Sequence, residues 1–115
     1  MATTSALMLR ILFVCSQNKL RSPTAEQVFA GYPGTEHASA GTNNDAETPL
    51  TAELVEWTQV IVAMEKQHRT KVSKRFRKHL VGKRIVCLDM PDDYAFMQAG
   101  LVGLLESRVA RFLSS

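Results

Sequence analysis

A cysteine and an arginine separated by five residues provide the chemistry needed to displace a phosphoryl group. Cys15 directly follows an apolar run, residues 9–14, and Arg21 comes just before a helix-like segment. A thiolate is a strong nucleophile, and a guanidinium can hold two phosphate oxygens at once. The pattern predicts a phosphoryl-transfer site with Cys15 as the nucleophile and Arg21 as a phosphate ligand.

The loop between these two residues has the residue types of an anion-binding turn. Asn18 tolerates the left-handed backbone that lets successive N–H groups converge. The following helix would add unpaired N–H groups and its positive dipole end, a field that favours the thiolate of Cys15. Ser22 suits a helix cap and Pro23 a first helical position. The predicted phosphate-binding residues are Ser16, Gln17, Asn18, Lys19, Leu20, Arg21 and Ser22.

The plainer interpretation is that Cys15 is a small buried residue in front of an ordinary helix. Spacing alone does not exclude it, because a cysteine and an arginine will often lie this far apart by chance. Its place in the chain argues against it. The loop follows the first predicted strand, and open α/β sheets bind their ligands at the carboxyl ends of strands.

Length and composition describe one ordinary globular domain, residues 1–115. Of these residues 45% are hydrophobic and 22% charged, which is typical of such domains. Cys15 and Cys87 make no disulfide framework, and no signal peptide or membrane span is recognisable, so a cytoplasmic location is expected. The three histidines lack metal-ligand spacing and are expected in surface or loop positions. Neither a metal nor a cofactor is predicted.

Strand-like and helix-like segments alternate along the chain, which predicts an α/β fold. Its four strands would form a parallel sheet with helices on both faces and the phosphate-binding loop after strand 1. The loops after the first and fourth strands would then open at the same edge, where Asp92 or Asp93 could face Cys15. The predicted strands are residues 9–14, 36–40, 60–64 and 84–88. Three of the predicted helices span residues 23–30, 66–80 and 100–113. A fourth, between the second and third strands, is predicted to be capped by Thr48 and to have Pro49 at its first position.

Basic residues are concentrated in the third predicted helix and the turn after it. Nine of the fourteen Lys and Arg residues lie between Lys66 and Arg84, with no acidic residue among them. The segment from Lys66 to Lys78 is a possible contact for a polyanion. A solvated helix face is the favoured interpretation, because Phe76, the one aromatic residue of the segment, belongs to an apolar stripe with Val72 and Leu80, which leaves none for base stacking.

Four segments, in order along the chain, give it a resemblance to the low-molecular-weight protein tyrosine phosphatase family. The phosphate loop of that family is Cys-x-x-Asn-x-x-Arg-Ser-Pro, and its second strand carries Ser-Ala-Gly-Thr. The matches are Cys15, Asn18, Arg21, Ser22 and Pro23 for the loop, Ser39 to Thr42 for the second strand, residues 60–65 for a third strand, and residues 89–94 for the acid loop, Asp-x-Pro-Asp-Pro-Tyr.

The resemblance implies hydrolysis of phosphomonoesters without a metal, through a phosphocysteine on Cys15. It makes Asp92 the general acid, although the adjacent Asp93 leaves that assignment open. It also puts Tyr94 and Asn43 at the substrate pocket. The substrate would be a phosphorylated protein or a small phosphate ester.

The sequence departs from the family at several positions. Gln17 replaces the glycine usual before the asparagine, and Leu20 replaces a second loop cysteine. The connection between the second and third strands is shorter than is typical. These differences affect the substrate pocket more than the catalytic chemistry.

Two other functions use the same loop. One is reduction of arsenate coupled to a small thiol, which needs only Cys15. The thioredoxin-coupled type is disfavoured, because it requires two further cysteines and the chain has only Cys87. The other is a module that binds a phosphorylated ligand with little turnover. The set of Cys15, Arg21 and Asp92 argues against it, because binding alone requires neither a nucleophile nor an acid.

Overall fold

Strands and helices alternate along the chain, as predicted. The computed structural model describes residues 9–16, 21–30, 34–43, 45–89 and 99–113. In chain order the elements are β1 (Leu9–Cys15), α1 (Arg21–Phe29), β2 (Thr35–Gly41), α2 (Ala52–Trp57), β3 (Val60–Ala63), α3 (Lys66–Arg75), a short 3-10 helix (Arg77–His79), β4 (Arg84–Cys87) and α4 (Ala99–Leu113).

The four strands form one parallel sheet in the order β2-β1-β3-β4. Leu12 pairs with Ala38 on one side and with Ile61 on the other, so β1 is an inner strand. The chain leaves β1 towards β2 and later returns to β1's other side. The carboxyl end of β1 is therefore the point where the strand order reverses, and open α/β sheets bind ligands at such points.

Helices cover both faces of the sheet, which confirms the predicted fold class. On one face, Phe13 and Val62 pack with Phe29 of α1 and Leu105 of α4. On the other face, the hydrophobic cluster joins strand residues to residues of α2 and α3. Residues 11–14 have no exposed surface. Their unbroken apolar run is what a strand covered on both sides requires.

The prediction for the start of α2 is wrong. Thr51, not Thr48, caps this helix, and its side chain accepts a hydrogen bond from the backbone N–H of Leu54. Residues 48–50 are instead paired with the end of β2. The N–H of Gly41 donates to the Thr48 carbonyl, and the N–H of Leu50 donates to the Gly41 carbonyl, both at 2.8 Å. Proline has no backbone N–H, and Pro49 fits this bridge because the bridge uses the carbonyl of Thr48 and the N–H of Leu50 and requires no donor at Pro49.

Two other helices differ from their predicted bounds. Helix α3 ends at Arg75, five residues early, and Phe76 separates it from the 3-10 helix. The apolar residues of this segment face the sheet, with Val72 buried and Phe76 and Leu80 packed against the same cluster. Helix α1 begins at Arg21, so Ser22 lies in its first turn and not at its cap. In the described part of the chain, no helix has the length and apolar character to cross a membrane.

Candidate active site

The two ends of the predicted phosphate-binding loop lie at the reversal point of the sheet. Cys15 is the last residue of β1 and is only 4% exposed, and Arg21 is the first residue of α1. The intervening Gln17, Asn18, Lys19 and Leu20 lie outside the described residues, as do Asp92, Asp93 and Tyr94. The strand-loop-helix arrangement is the one that directs backbone N–H groups and a helix N-terminus towards an anion.

Backbone hydrogen bonds fasten the start of this loop to the segment after β2. The N–H of Thr42 donates to the Cys15 carbonyl at 2.8 Å, and the N–H of Asn43 donates to the Ser16 carbonyl at 3.0 Å. Asn43, the predicted pocket residue, is therefore next to the loop. The backbone around the nucleophile is fixed from one side before any side chain contributes.

A side-chain hydrogen bond fixes α1 to β2. The Ser39 hydroxyl donates to Oε1 of Glu26 at 2.5 Å, and Ser39 is buried in the segment that matches Ser-Ala-Gly-Thr. Glu26 lies in the helix that begins with Arg21. A hydrogen bond to a charged acceptor is among the stronger ones in proteins. It holds the helix that receives the loop against the strand next to β1.

His68 is buried and not at the surface, which corrects the sequence expectation. Its side chain has no exposed area. Nδ1 lies 3.0 Å from the backbone nitrogen of Glu65, and Nε2 lies 2.9 Å from the Ser16 hydroxyl oxygen. The sequence contained one sign of this role. His68 is three residues after Glu65, the N-cap of α3, where a side chain can reach back to the cap's N–H.

The basic helix borders the loop that begins at Thr42. A cavity of about 490 Å³ is lined by Thr42, Asn43, Asp45, Lys71 and Arg75. Nη1 of Arg75 donates to the Thr42 carbonyl at 2.5 Å, and its guanidinium lies 5.2 Å from the centre of the Phe76 ring. Lys71 and Arg75 are four residues apart and so share one face of α3. That face meets the loop containing Asn43.

The residue that begins the predicted acid loop is held by α4. Nη1 of Arg108 donates to the carbonyls of Leu88 at 2.5 Å and of Asp89 at 2.8 Å. Asp89 has a φ of 53°, in the left-handed region that aspartate tolerates better than most residues. These features give Asp89 a structural role at the end of β4.

The second cysteine has the features of a weak nucleophile. Burial raises the pKa of the Cys87 thiol, and the nearby Asp89 carboxylate raises it further. The Cys87 sulfur donates to Oδ1 of Asp89 at 3.5 Å. A raised pKa leaves little thiolate at neutral pH. Among the described residues, no group of three or more His, Cys, Asp or Glu side chains could hold a metal ion.

Comparisons with known proteins agree with this arrangement. Residues 10–90 match the sequence model of the low molecular weight phosphotyrosine protein phosphatases. The YwlE arginine phosphatase from Geobacillus stearothermophilus has a similar structure, with a TM-score of 0.72 and 23% identity over 92% of this chain and 93% of that chain. Wzb from Vibrio vulnificus, in complex with benzylphosphonate, is also similar in structure. Its TM-score is 0.75, with 21% identity over 93% of this chain and 98% of that chain. A search of curated proteins finds no match.

Proposed function

This chain belongs to the low-molecular-weight phosphotyrosine protein phosphatase family, whose members are cysteine-dependent phosphatases, and we propose that it hydrolyses phosphomonoesters through a phosphocysteine on Cys15. One observation carries the proposal. Cys15 ends the inner strand β1 at the reversal point of the sheet, and α1 begins six residues later at Arg21. We expect a phosphate bound at the N-terminus of α1 to meet the Cys15 thiol in this arrangement.

The first step forms a sulfur–phosphorus bond. The Cys15 thiolate attacks phosphorus in line with the leaving oxygen, and the bond from phosphorus to that oxygen breaks. Arg21 and the loop N–H groups hold the three equatorial oxygens as negative charge builds on them. Asp92 donates its proton to the leaving oxygen, so an alcohol or phenol departs instead of an alkoxide or phenoxide.

The second step returns the enzyme to its starting state. Asp92, now a carboxylate, takes a proton from water as the water oxygen attacks phosphorus. The sulfur–phosphorus bond breaks, inorganic phosphate leaves, and Cys15 is again a thiolate. Asp92 is preferred over Asp93 because it occupies the aspartate position of the matched motif.

We propose phosphotyrosine in proteins as the substrate, with Tyr94 and Asn43 at the pocket. A panel of substrates at equal concentration tests this: para-nitrophenyl phosphate and peptides carrying phosphotyrosine, phosphoserine or phosphoarginine, with released phosphate measured. We expect the phosphotyrosine peptide to give the highest kcat/KM. A preference for phosphoarginine would overturn the proposed substrate but retain the assignment as a phosphatase. If no substrate is hydrolysed and arsenate drives oxidation of a small thiol, the chain is an arsenate reductase.

The cavity at the basic helix supports a preference for substrates with a second negative charge. Lys71 and Arg75 border the cavity beside Asn43, and Asp45 is the one acidic residue among the described residues that line it. A carboxylate or phosphate next to the phosphotyrosine would lie in a positive field there. We therefore propose that α3 contacts the anionic part of the substrate and not a separate nucleic acid.

Replacing Lys71 with alanine tests this preference. For a phosphotyrosine peptide with neighbouring glutamates we expect KM to rise about 2- to 5-fold at low salt, because exposed charge pairs are weak and screened. For para-nitrophenyl phosphate we expect no change. Lys74→Ala is the matched control, since Lys74 is exposed on the same helix and does not line the cavity. Equal effects of the two substitutions would show that the whole helix, and not the cavity, attracts the peptide.

A further inference from the structure

We propose that His68 is a positioning residue for the phosphate-binding loop, acting by donating a hydrogen bond from Nε2 to the Ser16 hydroxyl. The inference rests on the proposed function, because Ser16 is the first loop residue after the nucleophile. His68 belongs to α3 and Ser16 follows β1, so the bond joins two elements that are 52 residues apart in sequence.

The hydrogen bonds of the ring determine its tautomer. Nδ1 lies 3.0 Å from the backbone nitrogen of Glu65, and a backbone N–H can only donate. Nδ1 is therefore the unprotonated acceptor, and in the neutral ring Nε2 carries the proton. Nε2 then donates to the Ser16 oxygen at 2.9 Å. A Glu65 carboxylate oxygen is 3.9 Å from Nε2, beyond hydrogen-bond distance.

This bond holds the side chain of Ser16, while a separate hydrogen bond holds its backbone. The Ser16 carbonyl already accepts the N–H of Asn43 from the segment after β2. The Ser16 side chain is held by α3, which packs on one face of the sheet through Val72. With both its backbone and its side chain held, Ser16 gives the following loop N–H groups a defined starting direction. Donors aligned before the reaction stabilise transition-state charge without reorganising.

Complete burial makes the contact specific. His68 has no exposed surface, so water cannot replace either partner of the ring. A histidine used only as a helix cap would need the Nδ1 contact alone. The second contact, to a residue adjacent to the nucleophile, is what distinguishes a positioning role from a purely structural one.

Two amide substitutions separate the two contacts. His68→Asn has an oxygen at the position of Nδ1 and can still accept from Glu65, but it does not reach Ser16. His68→Gln has an amide nitrogen near the position of Nε2 and can still donate to Ser16. We expect kcat for para-nitrophenyl phosphate to fall about 10-fold in His68→Asn and to stay within about 2-fold of wild type in His68→Gln. KM should change by less than about 2-fold in both, because the loss is one of alignment and not of phosphate contact.

Thermal unfolding is measured on the same variants and should give the opposite order, with His68→Gln losing more stability because it lacks the cap contact. If kcat falls in proportion to stability in both variants, the role of His68 is structural and the inference is wrong. If His68→Asn does not fold, Ser16→Ala breaks the same bond from the other side. Wild-type kcat in folded Ser16→Ala would equally overturn the inference.

Hydrogen–deuterium exchange distinguishes failure of this inference from failure of the proposed function. We expect the amides of residues 16–22 to exchange faster in His68→Asn than in wild type, whether or not the protein hydrolyses any ester. Unchanged exchange would refute the positioning role even if wild type is an active phosphatase. Faster exchange in a protein without phosphatase activity would retain the positioning role and reject the function.

Discussion

Replacing Cys15 with serine is expected to abolish hydrolysis of an aryl phosphate. A serine hydroxyl remains protonated at neutral pH and is a far weaker nucleophile than a thiolate, so the phosphoenzyme would not form at a useful rate. The side chain is nearly buried at the end of β1, and serine is of similar size, so the fold should persist. Release of para-nitrophenol from para-nitrophenyl phosphate measures the effect.

Cys87→Ser is the matched control for this experiment. Cys87 is the only other cysteine of the chain and lies at the end of β4, with a thiol pKa raised by burial. We expect its replacement to leave kcat within about 2-fold of wild type, because a protonated thiol is a poor nucleophile. Wild-type turnover by Cys15→Ser would eliminate the proposed mechanism. A matching loss in Cys87→Ser would mean that both thiols take part.

Replacing Asp92 with alanine is expected to lower kcat by roughly 10²–10⁴-fold, the contribution typical of general acid catalysis. The loss should be larger for a phosphotyrosine peptide than for para-nitrophenyl phosphate, because nitrophenolate departs more readily without a proton. Single-turnover and steady-state rates on both substrates give the measurement. Their comparison separates loss of the acid from loss of substrate binding, which would raise KM for both esters.

Asp93→Ala is the control, and it tests the assignment as well. Asp93 does not occupy the acid position of the matched motif, so its replacement should leave most of kcat. If Asp93→Ala loses activity and Asp92→Ala remains near wild type, the acid is Asp93. If neither substitution lowers kcat by more than about 10-fold, the acid lies elsewhere in the chain.

The sheet could be predicted from the sequence because its determinants are local. Residues 11–14 are consecutive, apolar and fully buried, and Val60–Ala63 repeats the pattern in the neighbouring strand. The start of α2 could not be predicted in the same way. Thr48 and Pro49 have the local signature of a helix start, but their backbone is used by Gly41 in a pairing across the fold. A long-range bridge of this kind leaves no local pattern.

The candidate site was predictable to a similar degree. The strand, the loop position and the helix after it follow from local patterns, which is why Cys15 and Arg21 were found where the chain reverses its strand order. The burial of His68 was not predictable, since its neighbours in sequence are polar and its partner Ser16 is remote. The contact of Arg75 with Thr42 was missed for the same reason: it joins residues that only the folded sheet brings together.

The two bonds from Arg108 link α4 to the end of β4, next to the predicted acid loop. Leu105, one turn earlier, packs in the same hydrophobic cluster as Cys15 and Ala25, while Arg108 holds the carbonyls at the end of β4. A single helix thus contacts both the cluster that contains Cys15 and the strand end that precedes the predicted acid loop. We expect substitutions that shift α4 to disturb both regions together, so the sensitivity of activity to mutation should not decline simply with distance from Cys15.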